Sequence, residues 1–296
     1  MDRRSFIATT GALAALPAFA ARETTSQAGR VTLLHTNDTH SRIEPFPAGS
    51  GAQTGKGGMA RRATLVKQLR EELKHVLLLD AGDVFQGTPY FNRYKGRLDY
   101  QLMSMVGYDA ATLGNHDFDN GVEALLFAME EAKFPFVNCN FKVDAACGLS
   151  KRLQPWLIRE FPGVRVGITG VGVDFKGLVA PKNHAGLTWQ DPVKPLKSVV
   201  EHLKHKEKVD LVVVLSHLGY DLKGSAIDDL TLAKEVEGID ALIGGHSHTF
   251  LEQPTVVGQT RIFQVGFGGA HLGRMDFVVD RGTVKAAQGR PMDVKG

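Results

Sequence analysis

The segment Thr112-Leu113-Gly114-Asn115-His116-Asp117-Phe118-Asp119 combines an amide, an imidazole and two carboxylates within five residues. It lies at the end of the short apolar run Ala110–Leu113, which is typical of a buried strand. Four more polar clusters follow apolar runs in the same way: Asn37-Asp38-Thr39-His40 after Val31–Thr36, Asp80-Ala81-Gly82-Asp83 after Val76–Leu79, Ser216-His217 after Leu211–Leu215, and Gly245-His246-Ser247-His248 after Ala241–Ile243. Loops at the carboxyl ends of parallel strands converge on one face of a sheet, so we expect all five clusters to share one crevice.

Predicted helices and strands alternate along the rest of the chain. Helical periodicity marks Met59–Leu73, Leu98–Val106, Val122–Ala132, Val193–His205 and Ala226–Glu237. Further extended runs are Phe134–Asn138, a hairpin of Trp156–Phe161 and Val164–Val171, and three strands near the end, Arg261–Val265, Arg274–Val279 and Thr283–Ala287. This alternation predicts an α/β fold whose sheets are covered by helices, with no composition break that would divide it into two domains.

Composition excludes several classes of protein. The chain has 296 residues, of which 43% are hydrophobic, and a formal net charge of +3 from 35 basic and 32 acidic residues. No basic block stands out, which argues against binding to a nucleic-acid duplex. Two cysteines are too few for a disulfide-stapled scaffold or a cysteine-rich metal site. Cys139 and Cys147 either pair or remain free, and the sequence leaves both possibilities open.

The N-terminal segment is typical of an export signal. Arg3-Arg4-Ser5-Phe6-Ile7 precedes a modest apolar run that ends in Ala18-Phe19-Ala20, a pattern of the twin-arginine class. The run is shorter than the ~20 residues that a membrane anchor requires, so no stable anchor is expected. We therefore predict a signal over residues 1–20, a linker over 21–30, one folded domain over 31–290, and a periplasmic location.

The five clusters supply ligands for metal ions. Asp-x-His and His-x-His in an extended segment would point both side chains to the same side. The candidate ligands are Asp38, His40, Asp83, Asn115, His217, His246 and His248. Nitrogen and oxygen donors without thiolate suit divalent ions such as Zn, Mn, Fe or Co. Seven ligands exceed the needs of one tetrahedral ion and suit two ions that share one carboxylate, for which Asp83 is the natural choice.

Several residues outside the five clusters receive no chemical role. Gly55-Lys56 lacks the glycine and the Ser/Thr of a phosphate-binding loop, and Gly266-x-Gly268-Gly269 precedes no long helix. The remaining histidines are expected to pack or to lie at the surface: His35 and His75 in or before strands, and His184, His202, His205 and His271 in loops or on a helix.

Together these motifs resemble the signature of the calcineurin-like metallophosphoesterases. Leu34-His35-Thr36-Asn37-Asp38, Asp80-Ala81-Gly82-Asp83-x-x-Gln86-Gly87 and the segment 112–119 are similar to the 5′-nucleotidase branch, which includes UDP-sugar hydrolases and 2′,3′-cyclic nucleotide phosphodiesterases. The resemblance implies a four-layer α-β-β-α sandwich with a dinuclear metal centre. It assigns Asp38, His40, Asp83 and His248 to one ion, and Asp83, Asn115, His217 and His246 to the other. His116 and Asp119 match the catalytic His–Asp pair of the family.

The resemblance also implies a function. It predicts a metal-dependent phosphoester hydrolase, acting on a small phosphorylated substrate such as a nucleotide, in which metal-bound hydroxide attacks phosphorus. His116 would neutralise the phosphoryl oxygens or protonate the leaving alkoxide. Members of the branch usually carry a second domain that holds the nucleoside, so a catalytic subunit completed by a separate partner chain is also compatible with the motifs. A 2′,3′-cyclic nucleotide phosphodiesterase fits them too, as does, more distantly, a thiosulfohydrolase-like or non-catalytic metal-binding protein.

Overall fold

Two facing β-sheets form the centre of the molecule in a computed structural model, which describes residues 28–224, 227–280 and 282–296. The strands are β1 (Gly29–Thr36), β2 (Val76–Asp80), β3 (Ala110–Ala111), β4 (Phe136–Val137), β5 (Phe141–Val143), β6 (Leu153–Gln154), β7 (Trp156–Phe161), β8 (Val164–Gly172), β9 (Leu187–Trp189), β10 (Leu211–His217), β11 (Ala241–Gly244), β12 (Thr255–Val257), β13 (Thr260–Phe263), β14 (His271–Asp280) and β15 (Thr283–Asp293). The α-helices are α1 (Met59–Glu72), α2 (Pro89–Tyr94), α3 (Arg97–Val106), α4 (Gly121–Met129), α5 (Val193–His205) and α6 (Asp229–Glu235). The predicted signal over residues 1–20 lies outside the described residues.

The order of strands brings the carboxyl ends of the central strands together. One sheet has the order β15-β14-β1-β2-β3-β4-β6, and β1, β2, β3, β4 and β6 are parallel. The other has the order β12-β13-β11-β10-β8-β7, and β8, β10, β11 and β13 are parallel. Strands β5 and β9 form a separate ribbon.

Apolar residues fill three layers between these elements. Alternate residues of a strand face opposite sides, so Leu33 packs between the two sheets, whereas its neighbour Leu34 packs under α1, α3 and α4. In the second sheet, Val213 faces the first sheet and Val212 packs under α5 and α6. The central strands are thus buried on both faces, which explains their continuous apolar runs. The predicted four-layer α-β-β-α sandwich is confirmed.

Several local expectations were wrong. Helix α6 is shorter than predicted because Asp228 caps it, its side chain accepting a hydrogen bond from the Thr231 N–H at 2.8 Å; Ala226 lies outside the described residues. Helix α2 was not predicted, and Pro89 occupies its first turn. His271 begins β14 rather than lying in a loop or helix, and its ring is buried 3.1 Å from Asp293.

Two further findings concern the cysteines and the helices. Cys139 and Cys147 are both free. Within the described ranges, no helix has the length and apolar character needed to cross a membrane.

Candidate metal centre

Five loops from both sheets meet at the carboxyl ends of β1, β2, β3, β10 and β11. The Asp38 N–H donates to the Gly82 carbonyl at 2.9 Å, and the His40 N–H donates to the Asp83 carbonyl at 3.1 Å, which joins the first two loops. The His246 N–H donates to the Asp38 carboxylate at 3.0 Å, which joins the first sheet to the second. The predicted convergence of the five clusters is therefore present in the fold.

One group of three donors lies at the outer side of the crevice. Asp38, His40 and His248 each offer a donor atom, and these atoms lie within 4.8 Å of one another. The Nε2 atoms of His40 and His248 are 3.0 Å apart, and His248 Nε2 is 3.4 Å from Asp38 Oδ1. Two imidazole nitrogens and a carboxylate oxygen at these separations can surround one divalent ion.

A second group of donors lies deeper. Asp83, His217 and His246 offer donor atoms within 4.8 Å of one another. His217 Nε2 lies 3.0 Å from Asp83 Oδ2 and 4.0 Å from Asp38 Oδ1, so the two groups adjoin each other. The arrangement offers two neighbouring sites with nitrogen and oxygen donors.

The hydrogen bonds of His40 and His217 leave one nitrogen on each ring for a ligand. His40 Nδ1 lies 3.0 Å from the Phe85 carbonyl, and His217 Nδ1 lies 2.7 Å from the Ala81 carbonyl. A carbonyl can only accept, so Nδ1 carries a proton in both rings, and in the neutral ring that binds a metal Nε2 has the lone pair. Asn115 Oδ1 is a buried atom without a hydrogen-bond partner among the described residues, and His217 Nε2 is buried against the Asp83 carboxylate, a second candidate ligand. Buried acceptors of this kind are what a bound metal would satisfy, so the donor set fits the implied ions.

The backbone at these ligands is held in an uncommon conformation. Asp38, His40, Asp83, His246 and His248 have φ values of 49°, 49°, 54°, 71° and 53°. The expectation of extended Asp-x-His and His-x-His segments was therefore wrong, because left-handed residues turn the chain at each ligand. As a result, His246 and His248 point into different groups. Such strained residues cluster at functional sites, where the surrounding structure maintains them.

Residues outside the ligand set fix the loops. The Asp117 carboxylate accepts hydrogen bonds from the N–H groups of Asp83 at 3.1 Å, Val84 at 3.1 Å and Gly114 at 2.8 Å. The Asn37 amide donates to Asp38 Oδ2 at 2.6 Å and orients that carboxylate. Asn37 and Asp117 both belong to the polar clusters of the sequence. The sequence alone indicates no role for either residue, because each role depends on hydrogen bonds that form only when the loops are folded.

Gly114 allows the two inner ligands to approach the chain. A Cβ at this position would lie 2.1 Å from Asp83 Oδ1 and 2.6 Å from His217 Nε2. Any side chain here would therefore displace two candidate ligands.

His116 and Asp119 form a pair beside the outer group. His116 Nδ1 lies 2.9 Å from Asp119 Oδ2, and the His116 ring centroid is 5.4 Å from that of His40. The hydrogen bond to Asp119 raises the pKa of His116, although burial opposes the shift. The pair therefore favours a cationic imidazole with Nε2 available to another molecule.

Burial and charge shape the protonation of the candidate ligands. Burial, together with the charge of His217, lowers the pKa of His246 to about 4, and burial also lowers the pKa of His40. Neutral imidazole is the form that binds metal. Burial opposes charge on His217 and Asp83, but the close contact between them raises the pKa of His217 and lowers that of Asp83. The inner group therefore holds a carboxylate ready to face a cation.

Each predicted site residue has a place in this crevice. The structure brings six of the seven candidate ligands into the two groups and buries the seventh, Asn115, in the β3 loop that also holds Gly114. Asp83 belongs to the inner group by distance, and its sharing between two ions stays a prediction. The metal-binding and catalytic roles of these residues also stay predictions.

Comparison with known proteins gives a consistent result. Residues 31–250 match the family model described as calcineurin-like phosphoesterase. The chain is 35% identical over 293 residues to a snake venom 5′-nucleotidase from Gloydius brevicauda, covering 88% of this chain and 47% of that protein. It is 39% identical over 229 residues to a 5′-nucleotidase from Bos taurus, covering 75% of this chain and 38% of that protein.

A solved structure shares the fold. The crystal structure of a 5′-nucleotidase precursor from Thermus thermophilus superposes with a TM-score of 0.82 at 33% identity, covering 90% of this chain and 54% of that chain. This chain therefore spans about half the length of the relatives that it matches.

Proposed function

Because this chain belongs to the calcineurin-like phosphoesterase family, we propose that it hydrolyses phosphoesters of nucleotides with the help of two divalent metal ions. The observation that carries the proposal is the meeting of two donor groups and the His116–Asp119 pair at one edge of the sandwich. Relatives described as 5′-nucleotidases support a nucleotide as the substrate.

In this proposal the donors divide between two ions. Asp38, His40, Asp83 and His248 hold the outer ion, and Asp83, Asn115, His217 and His246 hold the inner one. The inner assignment is supported by the buried acceptor Asn115 Oδ1, which has no hydrogen-bond partner among the described residues, and by the 3.0 Å separation of His217 Nε2 and Asp83 Oδ2. Two such ions, when bound, acidify water and stabilise negative charge on phosphoryl oxygens.

His116 handles protons at the edge of this centre. Asp119 engages Nδ1 and favours the cationic ring, so Nε2 carries a proton towards the substrate. From that atom His116 donates a hydrogen bond to the phosphoryl oxygens as their charge grows, and then protonates the leaving alkoxide. Asp119 positions His116 and does not touch the substrate.

We also propose export by the twin-arginine route, cleavage after Ala20, and a periplasmic mature domain over residues 31–290, on the basis of the sequence of residues 1–20. Replacing both Arg3 and Arg4 with lysine tests this. The variant should accumulate uncleaved in the cytoplasm, and normal export of it would refute the assignment.

A substrate panel on metal-reconstituted protein tests the proposed activity. The panel contains AMP, 2′,3′-cyclic AMP, UDP-glucose, 4-nitrophenyl phosphate and its bis-ester. We expect release of phosphate from AMP by the wild type and by His205→Gln, a control on the exposed face of α5. Preference for the cyclic or bis-ester substrate would favour a phosphodiesterase instead. Activity on none, with two ions bound per chain, would refute hydrolysis by the chain alone and favour a subunit completed by a partner.

A further inference from the structure

An exposed phenylalanine lies directly against the outer donor group. The Phe267 ring stacks on the His248 imidazole, with centroids 5.0 Å apart and planes inclined by 15°. Phe267 is nevertheless 37% exposed, whereas most large apolar residues of the described chain are buried. The Phe267 ring therefore lies between the outer donor group and solvent.

The loop that carries Phe267 is fixed to the same residues that build the centre. The Gly266 N–H donates to the Thr249 carbonyl at 2.9 Å, and the Gly268 N–H donates to the Asp38 carbonyl at 2.7 Å. The Asn37 amide donates to the Gly266 carbonyl at 2.6 Å. These bonds hold both neighbours of Phe267 in place, so its exposure is not that of a loose loop.

Two glycines and a second aromatic ring also hold the Phe267 ring in its position. Gly266 and Gly268 have φ values of 77° and 64°, which side chains rarely adopt, and a Cβ at Gly268 would lie 2.4 Å from the Phe46 ring. The buried Phe46 ring lies perpendicular to the Phe267 ring, with centroids 5.7 Å apart and planes at 87°. The Arg42 guanidinium lies 4.1 Å from the Phe46 ring centroid on the same rim.

A rigid, exposed aromatic ring beside a phosphoryl-binding centre suits a planar ligand group. Exposing a phenyl ring forgoes the free energy that its burial would supply. Stacking of a base on an aromatic side chain is worth about 1–3 kcal/mol and tolerates any base, because every base has a π-face. His248 lies in the outer donor group, so the Phe267 ring borders the position where a phosphoester would bind.

We propose that Phe267 is a specificity residue that stacks the nucleobase, or another aromatic group, of the phosphoester bound at the centre. This inference rests on the proposed nucleotide substrate. It predicts that the chain distinguishes nucleotides from sugar phosphates by means of a residue in its own loop. Aliphatic phosphoesters gain nothing from this ring.

Equilibrium binding tests the inference without requiring turnover. The probes are phosphonate analogues of AMP and of ribose 5-phosphate, in which a methylene group replaces the bridging oxygen and blocks hydrolysis. Their dissociation constants for the metal-loaded protein are measured by calorimetry. For Phe267→Ala we expect Kd to be about 5- to 140-fold weaker for the AMP analogue and to change less than twofold for the ribose analogue. Phe267→Tyr should restore the difference.

A matched control variant and the metal content show whether Phe267 acts by stacking on the ligand or only by holding His248 in place. Phe127→Ala removes a 50% exposed phenylalanine from α4 and should leave both constants unchanged. Equal weakening of both analogues by Phe267→Ala, or loss of an ion in elemental analysis, would overturn the inference. Equal affinity of the wild type for the two analogues would also overturn it. Failure of the proposed hydrolysis gives a different result: the wild type then binds the AMP analogue but releases no phosphate from AMP.

Discussion

We expect the buried side chain of His35 to make the stability of the folded protein sensitive to acid. Its ring lies inside β1 and is fully buried, 5.1 Å from the Phe263 ring centroid, and neither ring nitrogen has a hydrogen-bond partner among the described residues. Burial in these surroundings lowers the pKa of His35 from 6.5 to about 3. The unfolded chain therefore binds a proton at this residue far more readily than the folded chain.

The sign and size of the effect follow from this difference in pKa. Because the folded-state pKa is depressed, the stability contribution is complete above pH 6.5 and is lost as the pH falls from 6.5 towards about 3. Each pH unit in that window costs about 1.4 kcal/mol. Acidification from pH 7.5 to pH 5 should therefore lower the free energy of unfolding by about 2 kcal/mol through His35 alone.

Urea unfolding at the two pH values measures this contribution. The comparison uses the wild type, His35→Leu and the exposed control His205→Gln, all with metal removed by a chelator. Every other titrating group is shared, so the wild type should lose about 2 kcal/mol more than His35→Leu on acidification, whatever the absolute stability of the variant. His205→Gln should behave as the wild type. An equal loss in the wild type and His35→Leu would refute the reasoning.

Three further predictions concern the metal centre. Asp83→Ala removes the carboxylate that faces His217 and should reduce the metal content below two ions per chain; two retained ions in elemental analysis would contradict its assignment. His116→Ala should lower kcat about 10²–10⁴-fold while two ions stay bound, since it removes the proton donor and not a ligand, and unchanged turnover would exclude that role. Gly114→Ala should reduce metal content and activity together, because its Cβ would lie 2.1 Å from Asp83 Oδ1; an unaltered variant would show that the β3 loop adjusts freely.

The architecture could be predicted from the sequence because the central strands are buried on both faces and are therefore continuous apolar runs. Their apolar runs end where polar loops begin, and those junctions placed most helices and central strands within a few residues of their observed ends. Short strands such as β5 and β9 were missed, because three residues carry no periodic signal and their pairing links positions distant in sequence.

The grouping of the candidate ligands was also largely foreseeable, since the residue types and their positions after strands indicated which side chains would meet. The conformation of the ligands was not, because the left-handed backbone of Asp38 and His246 depends on contacts between loops. The position of Phe267 was equally hidden. Its glycine-rich loop carries no motif that indicates a ligand, and its stacking on His248 arises from the tertiary fold.

The most direct test of the account is an anomalous difference map from crystals of the metal-loaded protein, recorded at the absorption edge of the bound metal. We predict two peaks about 3.5–4 Å apart. One should lie beside Asp38, His40 and His248, and the other beside Asp83, His217 and His246. A single peak, or peaks away from these side chains, would contradict the dinuclear centre.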